Sequence, residues 1–393
     1  MENISQIITG AAIFTENGIL ENHMLLIRDD KIAAILPENP DIPEHLRYRC
    51  PAHSLIAPGF IDLQVNGAGG ILFNDQPDLQ AIRHIGKTLE ASGTTGFLPT
   101  LITDSRDKML QACEAAVAAL RESDSTITGL HLEGPFISPQ RPGIHDPKFI
   151  RIPDEDDLRL LESTAERMEN GRLMLTIAPE TVPAEIIAHL CAAGIRISIG
   201  HTAANYDLVQ QALIAGAHGF THLFNAMPPL INREPGPVGA ALENRRAFCS
   251  IVADGIHVHP SLLKTTYHAR EKGSLCLISD AMPPVGTDKD SFMLYGQKIL
   301  RRNGRLESED GILAGADMTL EDALKNCIGK FGIPVEEALR MASLYPARFL
   351  NMAHRSGKIV PGFQADLVLL SHWRNISEFA VTALWKNGNL RKI

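Results

Sequence analysis

The chain has 393 residues, 45% hydrophobic and 21% charged, with a net charge of -9, a composition that belongs to globular enzymes and excludes disordered and fibrous classes. No run of lysine or arginine opposes the acidic balance, so nucleic acid and an anionic membrane surface are excluded as main partners. Six scattered cysteines (Cys50, Cys113, Cys191, Cys249, Cys276, Cys327) without a C-x-x-C spacing argue against a zinc ribbon and a disulfide framework, and predict reduced, mostly buried thiols.

The opening Met1-Glu2-Asn3-Ile4-Ser5 lacks the basic start and apolar core of a signal peptide, and no apolar run is long enough to span a bilayer, which predicts a cytoplasmic protein with no membrane partner. From 6 to 49 the pattern is short β segments, with Asp29-Asp30 as a hairpin turn inside 24–35. A Pro-rich connector over 37–43 follows. From 60 to 280 strand-like and helix-like runs alternate, the signature of a parallel sheet covered by helices. Eight strands are expected at 60–65, 95–101, 127–133, 173–178, 195–201, 219–224, 248–253 and 275–280, with helices at 79–91, 106–121, 183–193, 206–215 and 260–272. Residues 225–244, rich in Pro and Gly, read as a loop with at most a short helix. This alternation predicts a (β/α)8 TIM-like barrel, whose active residues come from the C-terminal ends of its strands.

Beyond the eighth strand, 282–315 reads as a loop-rich insertion with a hairpin at Asn303-Gly304. Helical patterning resumes over 318–331 and 335–343, and the tail returns to β at 358–360, 365–370 and 381–385, ahead of Asn387-Gly388. The β-rich ends are expected to pair into one β-sandwich domain, 1–57 plus 358–393, around a barrel domain over 58–357.

The expected strand ends carry chemistry. The third ends in Glu133, the fifth in His201, the sixth holds His222 near its end, and the eighth ends in Asp280. On one barrel rim these groups converge. Two imidazoles and a carboxylate leave a fourth position open for water, the pattern of a catalytic zinc site, with Asp280 as a base beside it. Taken alone, each group has a plainer reading, since a single strand-end histidine is more often hydrogen-bonded than ligating; the joint pattern favours the metal. His131, two residues before Glu133, reads as a satisfied interior histidine one layer down. The Gly67-Ala68-Gly69-Gly70 cluster lacks the Lys-Ser/Thr of a phosphate loop and reads as a flexible connection.

Several strings carry a family resemblance: Pro58-Gly59-Phe60-Ile61-Asp62, His131-Leu132-Glu133-Gly134-Pro135, Gly200-His201-Thr202, Thr221-His222-Leu223-Phe224-Asn225-Ala226-Met227, Arg233-Glu234-Pro235-Gly236, Asp254-Gly255-Ile256-His257 and Ser279-Asp280-Ala281. Over essentially its full length the chain resembles the N-acetylglucosamine-6-phosphate deacetylase family of the amidohydrolase superfamily. The resemblance implies Glu133, His201 and His222 as metal ligands and Asp280 as the acid-base group. It implies His145 as the residue polarising the acetamide carbonyl, Asn225, Ala226, Arg233 and His257 as holders of the sugar phosphate, and Ile144 and Leu313 as the sugar lining. A homodimer is also implied, because in the family part of the phosphate site can come from a neighbouring subunit. Many amidohydrolases carry His-x-His after the first strand, where this chain has Gln64-Val65-Asn66; amides are poor metal ligands beside imidazole, so one divalent ion, zinc, is expected, with Gln64 and Asn66 as hydrogen-bonding support. The implied activity is metal-dependent deacetylation of N-acetylglucosamine 6-phosphate. Alternatives are the galactosamine epimer and a non-catalytic sugar-phosphate-binding regulator on the same scaffold.

Overall fold

The computed structural model describes residues 4–270 and 272–393; residues 1–3 of the opening segment, and residue 271 of the helix expected at 260–272, lie outside the described residues. By packing, the chain divides into two compact units, Met1–Ile61 with Leu89–Gly96 and Leu320–Ile393, and Asp62–Thr88 with Phe97–Thr319. The helices Leu320–Lys325, Val335–Ala342 and Leu344–Phe349, assigned to the barrel segment from sequence, fall in the first unit.

In the first unit both chain ends share a sheet. Leu367–Ser371 runs antiparallel to Leu55–Pro58, which lies parallel to Ala12–Thr15. A second, four-stranded sheet is built from Lys31–Pro37, His23–Arg28, Gln6–Thr9 and Arg47–Arg49. Apolar alternation puts Ile8, Leu25, Ile27, Ile56, Leu367, Leu369 and Trp385 into one core. The indole of Trp385 is fully buried, and its Nε1–H donates to Gln6 Oε1 at 2.6 Å, so the polar edge of the ring is satisfied. The Asp29-Asp30 turn joins Arg28 to Lys31 as expected, and Asn387-Gly388 closes a second two-residue hairpin with both residues at positive φ, 50° and 74°.

The second unit is organised around an eight-stranded parallel sheet in sequential order. The sheet's strands, the first two of which begin among residues assigned to the first unit, are Phe60–Val65, Thr94–Ile102, Gly129–Glu133, Arg172–Ile177, Arg196–Ile199, Gly219–Phe220, Phe248–Val252 and Leu275–Ile278. Sequential order with a helix in most crossovers is what alternating βα patterning dictates. The first and eighth strands meet at a bridge between Val65 and Ala281, with Asp280 N donating to Gln64 O at 3.1 Å and Asn66 N to Ala281 O at 2.9 Å. Lower on the same seam the buried Asp62 carboxylate accepts the Ser279 N–H at 3.2 Å.

Two expectations are refined. The stretch 225–244 contains the helix Gly236–Glu243, begun by Pro237 in its first turn. The insertion 282–315 is mostly a four-stranded antiparallel sheet, Ser291–Leu294, Gln297–Arg302, Arg305–Glu307 and Leu313–Ala316, with the expected turn at Asn303-Gly304. Its short strands alternate weakly because one face packs on Leu72, Ile102 and Met282 while the other meets solvent, and Met293 is exposed.

Candidate active site

Glu133 is the last residue of the third strand and is buried. His201, His222 and Asp280, expected within their strands, lie two residues past the ends at Ile199, Phe220 and Ile278. All three sit at positive φ, 47°, 31° and 51°, a conformation that costs a non-glycine residue of order 1–3 kcal/mol and is held only where surrounding bonds fix it. Those bonds are present. His222 N donates to Ser250 Oγ at 2.9 Å, and Leu223 N to Ser250 O at 2.9 Å. The left-handed turn swings each side chain off the barrel wall into the mouth.

There the groups meet. His222 Nε2 is 2.8 Å from Glu133 Oε1 and 3.1 Å from His201 Nε2, and His201 Nε2 is 3.4 Å from Glu133 Oε1. Glu133, His145 and His201 also place donor atoms within 4.8 Å of one another, so four potential ligands surround one point. Their outer contacts separate them. His201 donates Nδ1–H to Arg141 O at 3.0 Å, which leaves its Nε2 lone pair facing inward as a ligand requires. His145 instead has Nδ1 against Thr103, and its Nε2 is 3.8 Å from Glu133 Oε2. Two imidazole nitrogens converging on one carboxylate, with the buried oxygens Gln64 Oε1 and Asn66 Oδ1 lacking a hydrogen-bond partner beside them, fit a divalent cation.

The two amides have a second task. Gln64 Nε2 donates to both Glu133 Oε1 and Asp280 Oδ1 at 3.0 Å, and Asn66 Nδ2 to Asp280 Oδ1 at 2.7 Å. One oxygen of Asp280 is thereby held twice. Burial and the neighbouring Glu133 carboxylate push Asp280 up to about 6. For Glu133, burial acts upward but is outweighed by hydrogen bonds from His201 and His222, which hold it well below the ordinary range. Burial, reinforced by His201, holds His145 well below the usual imidazole range, so its ring is neutral. His131 faces no part of the cavity; its nitrogens meet Thr100 Oγ1 at 3.2 Å and Thr176 Oγ1 at 2.8 Å, and burial lowers it to about 4.

A cavity of about 360 Å³ opens over these groups and is lined also by Ile144, His145, Asn225, Ala226, His257 and Leu313. His257 is oriented by Asp254, whose Oδ2 is 2.6 Å from its Nδ1. Arg233 is the exception among the expected substrate residues: it is exposed on the loop after Met227 and outside the cavity lining. No lysine or arginine lines the cavity among the described residues. The loop carrying Ile144 and His145 is tethered at its far end by Asp157, fully buried, which accepts Arg151 Nη2 at 2.8 Å and Arg106 Nε at 3.0 Å. Sequence reasoning did not reach Thr103 or this tether; Thr103 meets His145 across 42 residues and Asp157 meets Arg106 across 51, separations that leave no spacing signal, and the nearer Arg151, six residues before Asp157, reads alone as an ordinary local ion pair.

The amidohydrolase family model matches residues 55–391. The chain belongs to the amidohydrolase family. Among its relatives is the N-acetylgalactosamine-6-phosphate deacetylase of Shewanella sp. (strain ANA-3), 35% identical over 97% of this chain and 94% of that protein. The crystal structure of N-acetylglucosamine-6-phosphate deacetylase from Pasteurella multocida superimposes with a TM-score of 0.93 at 33% identity, covering 99% of this chain and 100% of the other. A Mycobacterium smegmatis N-acetyl-D-glucosamine-6-phosphate deacetylase, solved as an aspartate-to-alanine mutant in complex with N-acetyl-D-glucosamine-6-phosphate, has a TM-score of 0.88 at 30% identity over 98% of each chain. The family's barrel is thus the frame on which this amidohydrolase places these groups. No helix among the described residues is long and apolar enough to cross a membrane.

Proposed function

We propose that this amidohydrolase hydrolyses the acetamide of N-acetyl-D-glucosamine 6-phosphate, giving acetate and D-glucosamine 6-phosphate. The observation that carries the reading is Asp280, held by two amides beside the Glu133, His201 and His222 donors in one cavity; a sugar-phosphate-binding regulator has no use for such a base. Glu133, His201 and His222 are the proposed ligands of one zinc ion, which when bound would activate water and polarise the carbonyl. Asp280 takes a proton from water as its oxygen bonds to the acetyl carbon, and returns it to the amine nitrogen as the C–N bond breaks. His145 donates to the carbonyl oxygen as negative charge develops there. Ile144 and Leu313 flank the sugar, and Asn225, Ala226 and His257 hold its phosphate end.

A dianionic phosphate needs a cation that the cavity lining of one protomer does not supply. We assign that role to Arg233, exposed beside Leu230 and Ile231, acting in the site of a second copy, which makes the working unit a homodimer. Free cysteines and a phosphorylated substrate support a cytoplasmic location. The galactosamine epimer is the second reading, favoured by the Shewanella relative at 35% identity. Acetate release from both epimeric phosphates, with and without chelator and alongside metal analysis, tests the whole reading. Chelator-sensitive release from the glucosamine epimer is expected; no release from either, at full metal content, leaves the regulator.

A further inference from the structure

We propose that Thr103 is a positioning residue for His145, directing its own N–H and O–H to His145 Nδ1 so that the ring carries its proton on Nε2, the nitrogen that faces the substrate. The inference rests on the deacetylase reading above. Thr103 follows the second strand directly and is 1% exposed. Its hydroxyl lies 2.8 Å from His145 Nδ1, and its backbone N–H points at the same nitrogen from 3.4 Å. The hydroxyl has one proton and a second acceptor in reach, Glu133 O, but at 3.2 Å that carbonyl is the more distant. With Nδ1 accepting, a neutral imidazole bears its hydrogen on Nε2. His145 is then a donor aimed into the cavity. A polariser of a carbonyl must be one, and a metal ligand cannot, which explains why His145 stands beside the donor set without belonging to it.

The surroundings are built to hold Thr103 still. Asn74 clamps the preceding residue, donating Nδ2–H to Ile102 O at 2.9 Å and accepting Ile102 N–H at 3.0 Å. The Tyr295 hydroxyl, on the insertion sheet's first hairpin turn, donates to Thr103 O. Gly134, directly after Glu133, makes room for the hydroxyl: a Cβ at that position would lie 2.2 Å from Thr103 Oγ1. The glycine after Glu133 therefore has a steric reason that involves His145.

The test is steady-state acetate release from N-acetylglucosamine 6-phosphate by the full-length zinc-loaded chain and its variants, with metal content and unfolding midpoints measured on the same samples. Thr103→Val, nearly isosteric without the hydroxyl, is expected to lower kcat about ten- to a hundredfold with KM within a few-fold of wild type. Thr103→Ser should recover most of that loss. In a His145→Ala background, Thr103→Val should cost nothing further, an outcome that a merely structural threonine would not give. Thr103→Ala serves the same comparison if the valine variant does not fold. An active wild type with Thr103→Val at near-normal kcat, or equal losses with and without His145, overturns the assignment of Thr103. A wild type that releases no acetate overturns the deacetylase reading first.

Discussion

Asp280 has two oxygens in different circumstances. Oδ1 receives the Asn66 and Gln64 amides, while among the described residues no hydrogen bond reaches Oδ2, so one oxygen fixes the side chain and the other is left to exchange protons. Asp280→Asn keeps the shape and removes the base; kcat should fall roughly 10²- to 10⁴-fold with metal content and substrate affinity retained, as read by acetate assay and calorimetry. The same group sets the acid side of the pH profile. On the proposed mechanism the ionised form is the active one, and burial with the Glu133 carboxylate pushes Asp280 up to about 6 without a cation, so kcat/KM of the metal-loaded enzyme should be lost only as pH falls below about 6. A bound cation favours the anion and moves that limb lower, never higher. An acid limb well above pH 6 in the metal-loaded enzyme would contradict the assignment.

At the scale of elements, what the sequence made legible depended on periodicity. Alternating apolar runs placed all eight strands and five of the helices between them but not the helix Glu155–Arg167, and the chemical types at the strand ends pointed to Glu133, His201, His222 and Asp280. The backbone turns that lift three of those residues off the wall were not legible, since positive φ at histidine and aspartate leaves no pattern in sequence. Nor was the insertion sheet, whose last strand, Leu313–Ala316, bonds back to the catalytic rim through Ala316 N to Asp280 O at 2.8 Å. Gly315, at φ 62°, lies against that same carbonyl: an added Cβ would sit 2.8 Å from Asp280 O and 2.7 Å from Met282 Cγ. Gly315→Ala should therefore reduce kcat by displacing Asp280 while costing only about 1–2 kcal/mol of stability; a variant with unchanged kcat would show that the strand moves independently. On the loop that brings His145, Asp157→Ala removes the buried carboxylate shared by two half-buried guanidinium groups, leaving Arg106 with Asp154 and Arg151 with backbone carbonyls. A loss of about 2 kcal/mol, read from urea midpoints, and a parallel loss of activity are expected.

For the whole molecule, acid stability and assembly order follow from burial and strand order. His218, which accepts the Ile197 N–H at 3.2 Å, is lowered to about 4 by burial and then by Arg196. Its unfolded value is near 6.5, so between the two the unfolded chain binds more protons, and stability is lost as pH falls from about 6.5 toward 4. Replacing His218 by Gln should flatten that slope, about 2 kcal/mol in all, in urea unfolding at pH 7.5 and 5.0. The barrel seam has a kinetic side. The proposed metal ligands on strands three to six span 89 residues from Glu133 to His222, whereas Asn66 and Asp280 are 214 apart. Closing the longer loop costs more chain entropy and comes late in folding. On the proposed roles, the nascent barrel thus assembles the three proposed cation donors from strands three, five and six before the proposed base arrives with the last pairing, and the capacity to hold an ion is expected earlier than the capacity to turn over.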